Sequence, residues 1–217
     1  MSFIEKVSLS LAERLGNRLD KNEEEVAVLN YGLFFIIQTC TAIILTFIIG
    51  LIFKMVTEIM VISITASLLK RYSGGVHSSS PNRCILSGLI LSIILSFACK
   101  GIADSITYSN LVILVVISLI LSGIILYKKC PVPSKNKPLK KESTRKKLRK
   151  KAFKLMGIYF VLSISLLIVY KITNIFLIKI IIVSIILGVL LQIFSISKVG
   201  EIGMKCFEMA FDVANLK

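Results

Sequence analysis

Three stretches of this 217-residue chain contain no charged residue: Val26–Phe53, Ser105–Tyr127 and Ile180–Ser197. Each reaches or approaches the roughly 18 to 20 apolar residues that carry a helix across a bilayer. No water reaches the hydrocarbon core, so a crossing segment must satisfy its backbone internally, as a helix does. The chain is therefore expected to be all-α, a polytopic membrane helical bundle forming a single integral membrane domain over residues 1–217. Composition agrees: 18% of the residues are charged, against about 25% in soluble domains, and the mean hydropathy is +0.85.

The same arithmetic removes other classes. Residues 1–28 hold ten charges, so they are no cleavable secretory signal. His77 is the single histidine, which excludes a zinc site built on several imidazoles, and no metal or cofactor is expected. The five cysteines show no CxxC pairing and are odd in number, against a closed disulfide framework.

The charge map sets the topology. Between Lys128 and Lys154 stand 13 Lys or Arg and one acid, Glu142, which is +12 of the net +15. Such an excess beside a span marks a cytoplasmic segment, and it is drawn to anionic lipid headgroups at about 1 kcal/mol per residue. With Phe153 as its one aromatic and no stacking pattern, it does not read as a nucleic-acid site. Working outward from this 128–154 basic loop, the chain divides into six predicted spans at about 31–53, 55–70, 82–103, 107–127, 154–170 and 177–197. Both termini and the 70–84 loop then face the cytoplasm, as in a multi-pass membrane protein. The second span is the weakest, because Glu58 stands near its outer end. A carboxylate there is either a functional group or an interfacial residue at a helix end.

The terminal segments, 1–28 and 198–217, look amphipathic rather than spanning. Ile4, Val7, Leu11, Leu15 and Leu19 recur at helical spacing, and so do Ile202, Cys206, Met209 and Val213. Such stripes fit either the membrane interface or the underside of the bundle.

The 70–84 loop, Lys-Arg-Tyr-Ser-Gly-Gly-Val-His-Ser-Ser-Ser-Pro-Asn-Arg-Cys, differs from everything around it. Gly74-Gly75 stops the second helix. Ser80-Pro81 starts the next, with Ser80 as cap and Pro81 in the first helical position, so that Cys84 falls in the first turn. A thiol there feels the helix dipole, and Arg83 adds a second positive influence. In one continuous helix His77 and Cys84 would stand about 10 Å apart along the axis. The Gly-Gly stop and the Pro81 start let the chain fold back, bringing an imidazole within reach of the sulfur as in an activated cysteine nucleophile. Two rivals weigh less. A serine triad from Ser78, Ser79 or Ser80 lacks an acid, since Asp104 lies across the membrane and Asp20 and Asp212 lie in the tails. Cys130 stands beside Lys128 and Lys129 but has no local histidine.

The six spans, the Arg71-x-x-Gly74-Gly75-x-His77 element with Cys84 seven residues on, and Pro131-x-Pro-x-x-Asn-Lys-Pro138 resemble the accessory gene regulator B family across nearly the whole chain. The resemblance implies a membrane cysteine endopeptidase of quorum sensing, with Cys84 as nucleophile and His77 as base. Its partner would be a short pro-peptide with an amphipathic leader, a core Cys or Ser and an acidic C-terminal tail. The tail is cleaved, and the core cyclises from a thioester on Cys84 into a thiolactone or lactone. Arg71, Gly75, Arg83, Lys128 and Lys129 are candidates to bind or orient that peptide, although the arginines equally suit lipid headgroups. A homodimer is compatible with these patterns. Without the resemblance, a peptide exporter or a non-catalytic scaffold stays open, with Gln38 and Gln192 as polar residues inside spans.

The six-span order places both loops in one compartment. Single cysteines introduced as Ser79→Cys and Ser134→Cys are expected to resist an impermeant maleimide on intact cells and to label after permeabilisation. Labelling of either from outside would overturn this topology.

Overall fold

A computed structural model describes residues 3–75, 80–133 and 141–213 of the chain. Its described residues form eight helices: α1 (Phe3–Arg18), α2 (Glu23–Ile52), α3 (Val56–Ser73), α4 (Pro81–Ser105), α5 (Tyr108–Lys129), α6 (Glu142–Thr173), α7 (Phe176–Ser195) and α8 (Lys198–Val213). Each of the six predicted spans falls on one of them, α2 to α7. Five of these are long and apolar enough to cross a membrane, and the chain is a membrane protein. The exception is α3, whose 18 residues include Glu58, Lys70 and Arg71. It nevertheless packs in the middle of the bundle, with Ile59, Ile62 and Leu69 buried.

Local chemistry explains the boundaries. Asn22 opens α2 through a capping box, accepting from the Glu25 N–H at 2.9 Å while Glu25 accepts from the Asn22 N–H at 3.2 Å. Thr107 caps α5, its hydroxyl oxygen accepting from the Asn110 N–H at 3.4 Å. The left-handed Asn174 closes α6. At 32 residues α6 is about 48 Å long, more than the hydrocarbon core requires. Its surplus lies at the basic start, so residues 142–154 are helix and not loop. The 128–154 segment is thus mostly the end of α5 and the first turns of α6. Similarly, residues 23–28 belong to α2, and 74–80 are all that separates α3 from α4.

The helix at the centre is α7, which packs on α3, α4, α5, α6 and α8. A helix apolar all round suits that position. Lipid tails are as apolar as leucine, so helices associate in a bilayer through close packing and hydrogen bonds. At Gly188 a Cβ would lie 2.8 Å from the carbonyl oxygen of Ile62 and 2.8 Å from Thr65 Cβ, so only glycine lets α3 approach this closely. Tyr159 of α6 adds a bond from its hydroxyl to the Thr65 carbonyl at 3.1 Å.

Both terminal segments form helices, and most of the expected stripe residues face outward. The face of α1 buried against α2 is Ile4, Ser8, Ala12 and Gly16, while Leu11, Leu15 and Leu19 are exposed. Small residues permit close helix contact, so they win the interface from the leucines. On α8, Ile202, Cys206 and Met209 are likewise exposed.

Glu58 is buried, as is Lys179, near the starts of α3 and α7. Both therefore lie at the end of the bundle opposite Gly74. Glu58 does stand at a helix end, in the first turn of α3, but it is buried inside the protein and not exposed at the interface.

Gly188→Ala is expected to destabilise the bundle by about 1–3 kcal/mol through overpacking against α3. Gly123→Ala, where a Cβ meets nothing within 4 Å, is expected to be neutral or stabilising by up to about 1 kcal/mol. Thermal unfolding midpoints in one detergent check the contrast.

Candidate functional site

The end of α3 meets two other chain segments. Gly74 has φ +72 and Gly75 φ +127, in the region that side chains avoid. A Cβ on Gly74 would sit 2.1 Å from the Val132 carbonyl oxygen, and one on Gly75 would press on Ser195 and Ile196. Val132, just after α5, donates its N–H to the Ser73 carbonyl at 2.9 Å. From α7, the Gln192 amide donates to Ser73 Oγ and to the Gly74 carbonyl, both at 2.8 Å. Gln192 is 2% exposed and Ser73 fully buried. An unpartnered amide there would cost about 1–3 kcal/mol. Its pairing explains a polar residue in an apolar helix without invoking a transport path. Gln38 is on α2, which packs chiefly on α1 and α3.

After residues 76–79, α4 begins as its sequence requires. Ser80 Oγ accepts from the Arg83 N–H at 3.3 Å, and Pro81 holds the first helical position. The Cys84 N–H bonds the Ser80 carbonyl at 3.0 Å, and Ser87 Oγ donates to the Cys84 carbonyl at 3.0 Å. Cys84 thus stands in the first turn of α4, half-buried, at the positive end of the helix dipole. His77 lies outside the described residues.

The other predicted residues gather unequally. The Arg83 guanidinium donates to Asp212 Oδ1 at 2.5 Å, joining α4 to α8. Sequence reasoning set Asp212 aside as a tail residue, and this contact corrects it. The reversal after α7 brings it back: Ser197 Oγ accepts from the Gly200 N–H at 3.1 Å, starting α8 directly. Arg71 lies 6.0 Å from the Tyr72 ring, and Lys151 of α6 reaches the same ring at 5.8 Å. Lys129 lines an open groove of about 270 Å³ with Val132, Ser195, Ile196, Ser197, Lys198 and Glu201. Lys128 is exposed and lies off that groove. Ser73, Val132 and Asp212 were missed beforehand, and Gln192 was noted as a polar residue inside a span without this role. Only Gln192 carried a signal, as a lone amide in an apolar run.

The rival thiol differs sharply. Cys130 is buried, and burial pushes it up to about 11, with Arg149 opposing. Arg149 itself is tied down, donating to the Tyr127 carbonyl at 2.8 Å and lying 4.6 Å from its ring.

The family model described as Accessory gene regulator B matches residues 8–196. A relative in Clostridium perfringens (strain SM101 / Type A), whose name describes it as AgrB-like, is 36% identical, covering 95% of this chain and 97% of its own. A second, from Clostridium perfringens (strain 13 / Type A), is 34% identical over 95% of this chain and 97% of its own. One from Listeria innocua is 27% identical over 77% of this chain and 80% of its own. No solved structure matches.

The contrast between the two thiols gives a sign. With its value near 11, Cys130 holds on the order of 10⁻⁴ of its molecules as thiolate at pH 7. In single-cysteine variants, Cys84 is expected to alkylate much faster than Cys130 at neutral pH. The neutral Cys130 thiol also favours the fold fully below about pH 9, the ordinary thiol value, and this contribution is lost as pH rises toward 11. Faster alkylation of Cys130 would exclude this assignment.

Proposed function

The chain belongs to the accessory gene regulator B family, and from that membership we propose that it is a membrane cysteine endopeptidase that cleaves and cyclises a short signal pro-peptide for quorum sensing. The observation that carries the reading is Cys84 itself: half-exposed at a helix N-terminus, at a membrane-edge end rich in cations, while Cys130 nearby is buried.

The chemistry follows from the groups. His77 takes the Cys84 thiol proton, and the sulfur attacks the scissile carbonyl carbon. The carbon–nitrogen bond breaks, His77 returns the proton to the leaving amine, and the acidic tail departs. The core remains on Cys84 as a thioester. The peptide's own Cys or Ser then attacks that carbonyl, giving its proton to restore the Cys84 thiol and releasing a thiolactone or lactone. Exchange between thioesters is close to balanced, so exclusion of water decides between ring and linear acid.

The surroundings suit such a substrate. Lys129 and Lys198 flank the groove beside the Gly74–Gly75 turn and offer a positive potential to an acidic tail. Arg71 and Lys151 extend it along Tyr72. The outward apolar stripes of α1 and α8 suit the interface where an amphipathic leader and anionic lipids lie. The basic end then faces the cytoplasm.

The test uses the full chain co-expressed with its pro-peptide, the core nucleophile replaced by Ala. A hydroxylamine-sensitive adduct on Cys84 is expected to accumulate, to be absent in Cys84→Ala, and to fail to form in His77→Ala. Release of a linear peptide with a free carboxylate would leave a protease and remove cyclisation. No tail cleavage at all would remove both.

A further inference from the structure

Arg83 and Asp212 enter their ion pair on unequal terms. The arginine side chain is 11% exposed in the first turn of α4, whereas the aspartate side chain is 65% exposed near the end of α8. A mostly hydrated carboxylate gains little from such a contact. A guanidinium withdrawn from water depends far more on an anionic partner. The demand for a carboxylate therefore lies with Arg83, beside Cys84 in the chain.

Asp212 is also the loosely held partner. Its helix packs chiefly on α7, and the close contacts lie at the start of α8. There the Gly200 N–H bonds Ser197 Oγ at 3.1 Å, and a Cβ on Gly200 would sit 2.1 Å from the Phe194 carbonyl oxygen. Further along, Ile202, Cys206 and Met209 are exposed. Asp212 stands about 18 Å along the helix from Gly200, and its carboxylate ties that far end to α4. A second carboxylate could take its place without any further desolvation of the arginine.

We propose that Arg83 recognises a carboxylate in the substrate's acidic tail, and that Asp212 occupies this place in the free protein as an intramolecular competitor. This rests on the reading of Cys84 as the nucleophile. The Cα atoms of Arg83 and Cys84 are about 3.8 Å apart, but consecutive side chains on a helix diverge. Arg83 therefore meets not the scissile residue but one a short way along the departing tail. An extended chain advances about 3.3–3.6 Å per residue, which places that acid within roughly three residues of the scissile bond. A tethered competitor acts at an effective concentration in the millimolar range. Isolated carboxylates are thus kept out, and an acid delivered by a peptide already bound elsewhere is admitted.

The experiment uses the full chain in lipid vesicles, reading KM and kcat for tail cleavage of the pro-peptide. Asp212→Asn is expected to lower KM by about threefold or more, because Arg83 is then open to the peptide for a larger fraction of the time, with kcat little changed. Arg83→Gln is expected to raise KM by about tenfold or more, the effect of one charge-assisted contact. In the Cys84→Ala background, the Kd of labelled pro-peptide is expected to follow the same order. An ion pair that merely anchored α8 would move both variants in one direction. An unchanged or raised KM in Asp212→Asn overturns the proposal by itself.

Changing each acid among the first three tail residues to its amide locates the contact. One such peptide is expected to abolish the difference between the parent and Asp212→Asn, and persistence of the difference with all of them overturns the proposal. Should Arg83→Gln fail to accumulate, Arg83→Asp combined with Asp212→Arg keeps an interhelical pair and is still expected to show the raised KM. Parental KM in that exchanged protein overturns the proposal. If the parent cleaves no tail, or Cys84→Ala cleaves it equally well, the reading of Cys84 fails and the proposal falls with it, a result distinct from any shift in KM.

Discussion

Everything at the Gly74 end of the bundle hangs on how closely α3 can approach α7. Gly188 and Gln192 are one turn apart on α7 and so share a face. The first admits the α3 backbone at Ile62 and Thr65, and the second bonds the end of α3 at Ser73 and Gly74. Hydrogen bonds between membrane helices are individually modest, about 0.6 kcal/mol on average. Their weight here comes from the alternative, which is a broken helix end buried without partners. A side chain at position 188 would push α3 outward, and the amide at 192 would lose its acceptors. The packing and the polar contact are therefore one device.

What the sequence revealed followed range of interaction. The spans were legible because a bilayer admits few solutions for a long uncharged run, and all six landed on helices. The start of α4 was legible because Ser80 and Pro81 act within one turn of Cys84. The stop at Gly74 was legible for the same reason. Contacts joining residues far apart were not. Asp212 meets Arg83 across 129 positions, and Gln192 meets Ser73 across 119. No local pattern encodes either. The apolar stripe of α1 left two readings open for a different reason: in a membrane setting leucines are content to face outward, and the seam is made by Ile4, Ser8, Ala12 and Gly16.

The charge distribution also changes meaning once folded. Thirteen cations between Lys128 and Lys154 suggested a basic loop, yet residues 142–154 extend α6 as helix. A helix holds its cations in a fixed array. Arg149 is pinned to Tyr127, and Lys151 to Tyr72 beside Arg71. Such contacts are each worth about 0.5–1 kcal/mol at exposed sites, enough to orient side chains without removing their charge from the surface.

Arg83 stands outside that array, and it sharpens the electrostatics around Cys84. Its side chain is 11% exposed and paired with Asp212, whose carboxylate is 65% exposed. The pair has no net charge, so Arg83 contributes less to the field at the adjacent sulfur than the sequence suggested. What remains is the dipole of α4, which falls off within the first turn. Cys84 lies in that turn, with its N–H bonded to the Ser80 carbonyl. On the proposed reading, the proton of that thiol passes to a base. Of the side chains suited to that task near neutral pH, the chain holds a single histidine.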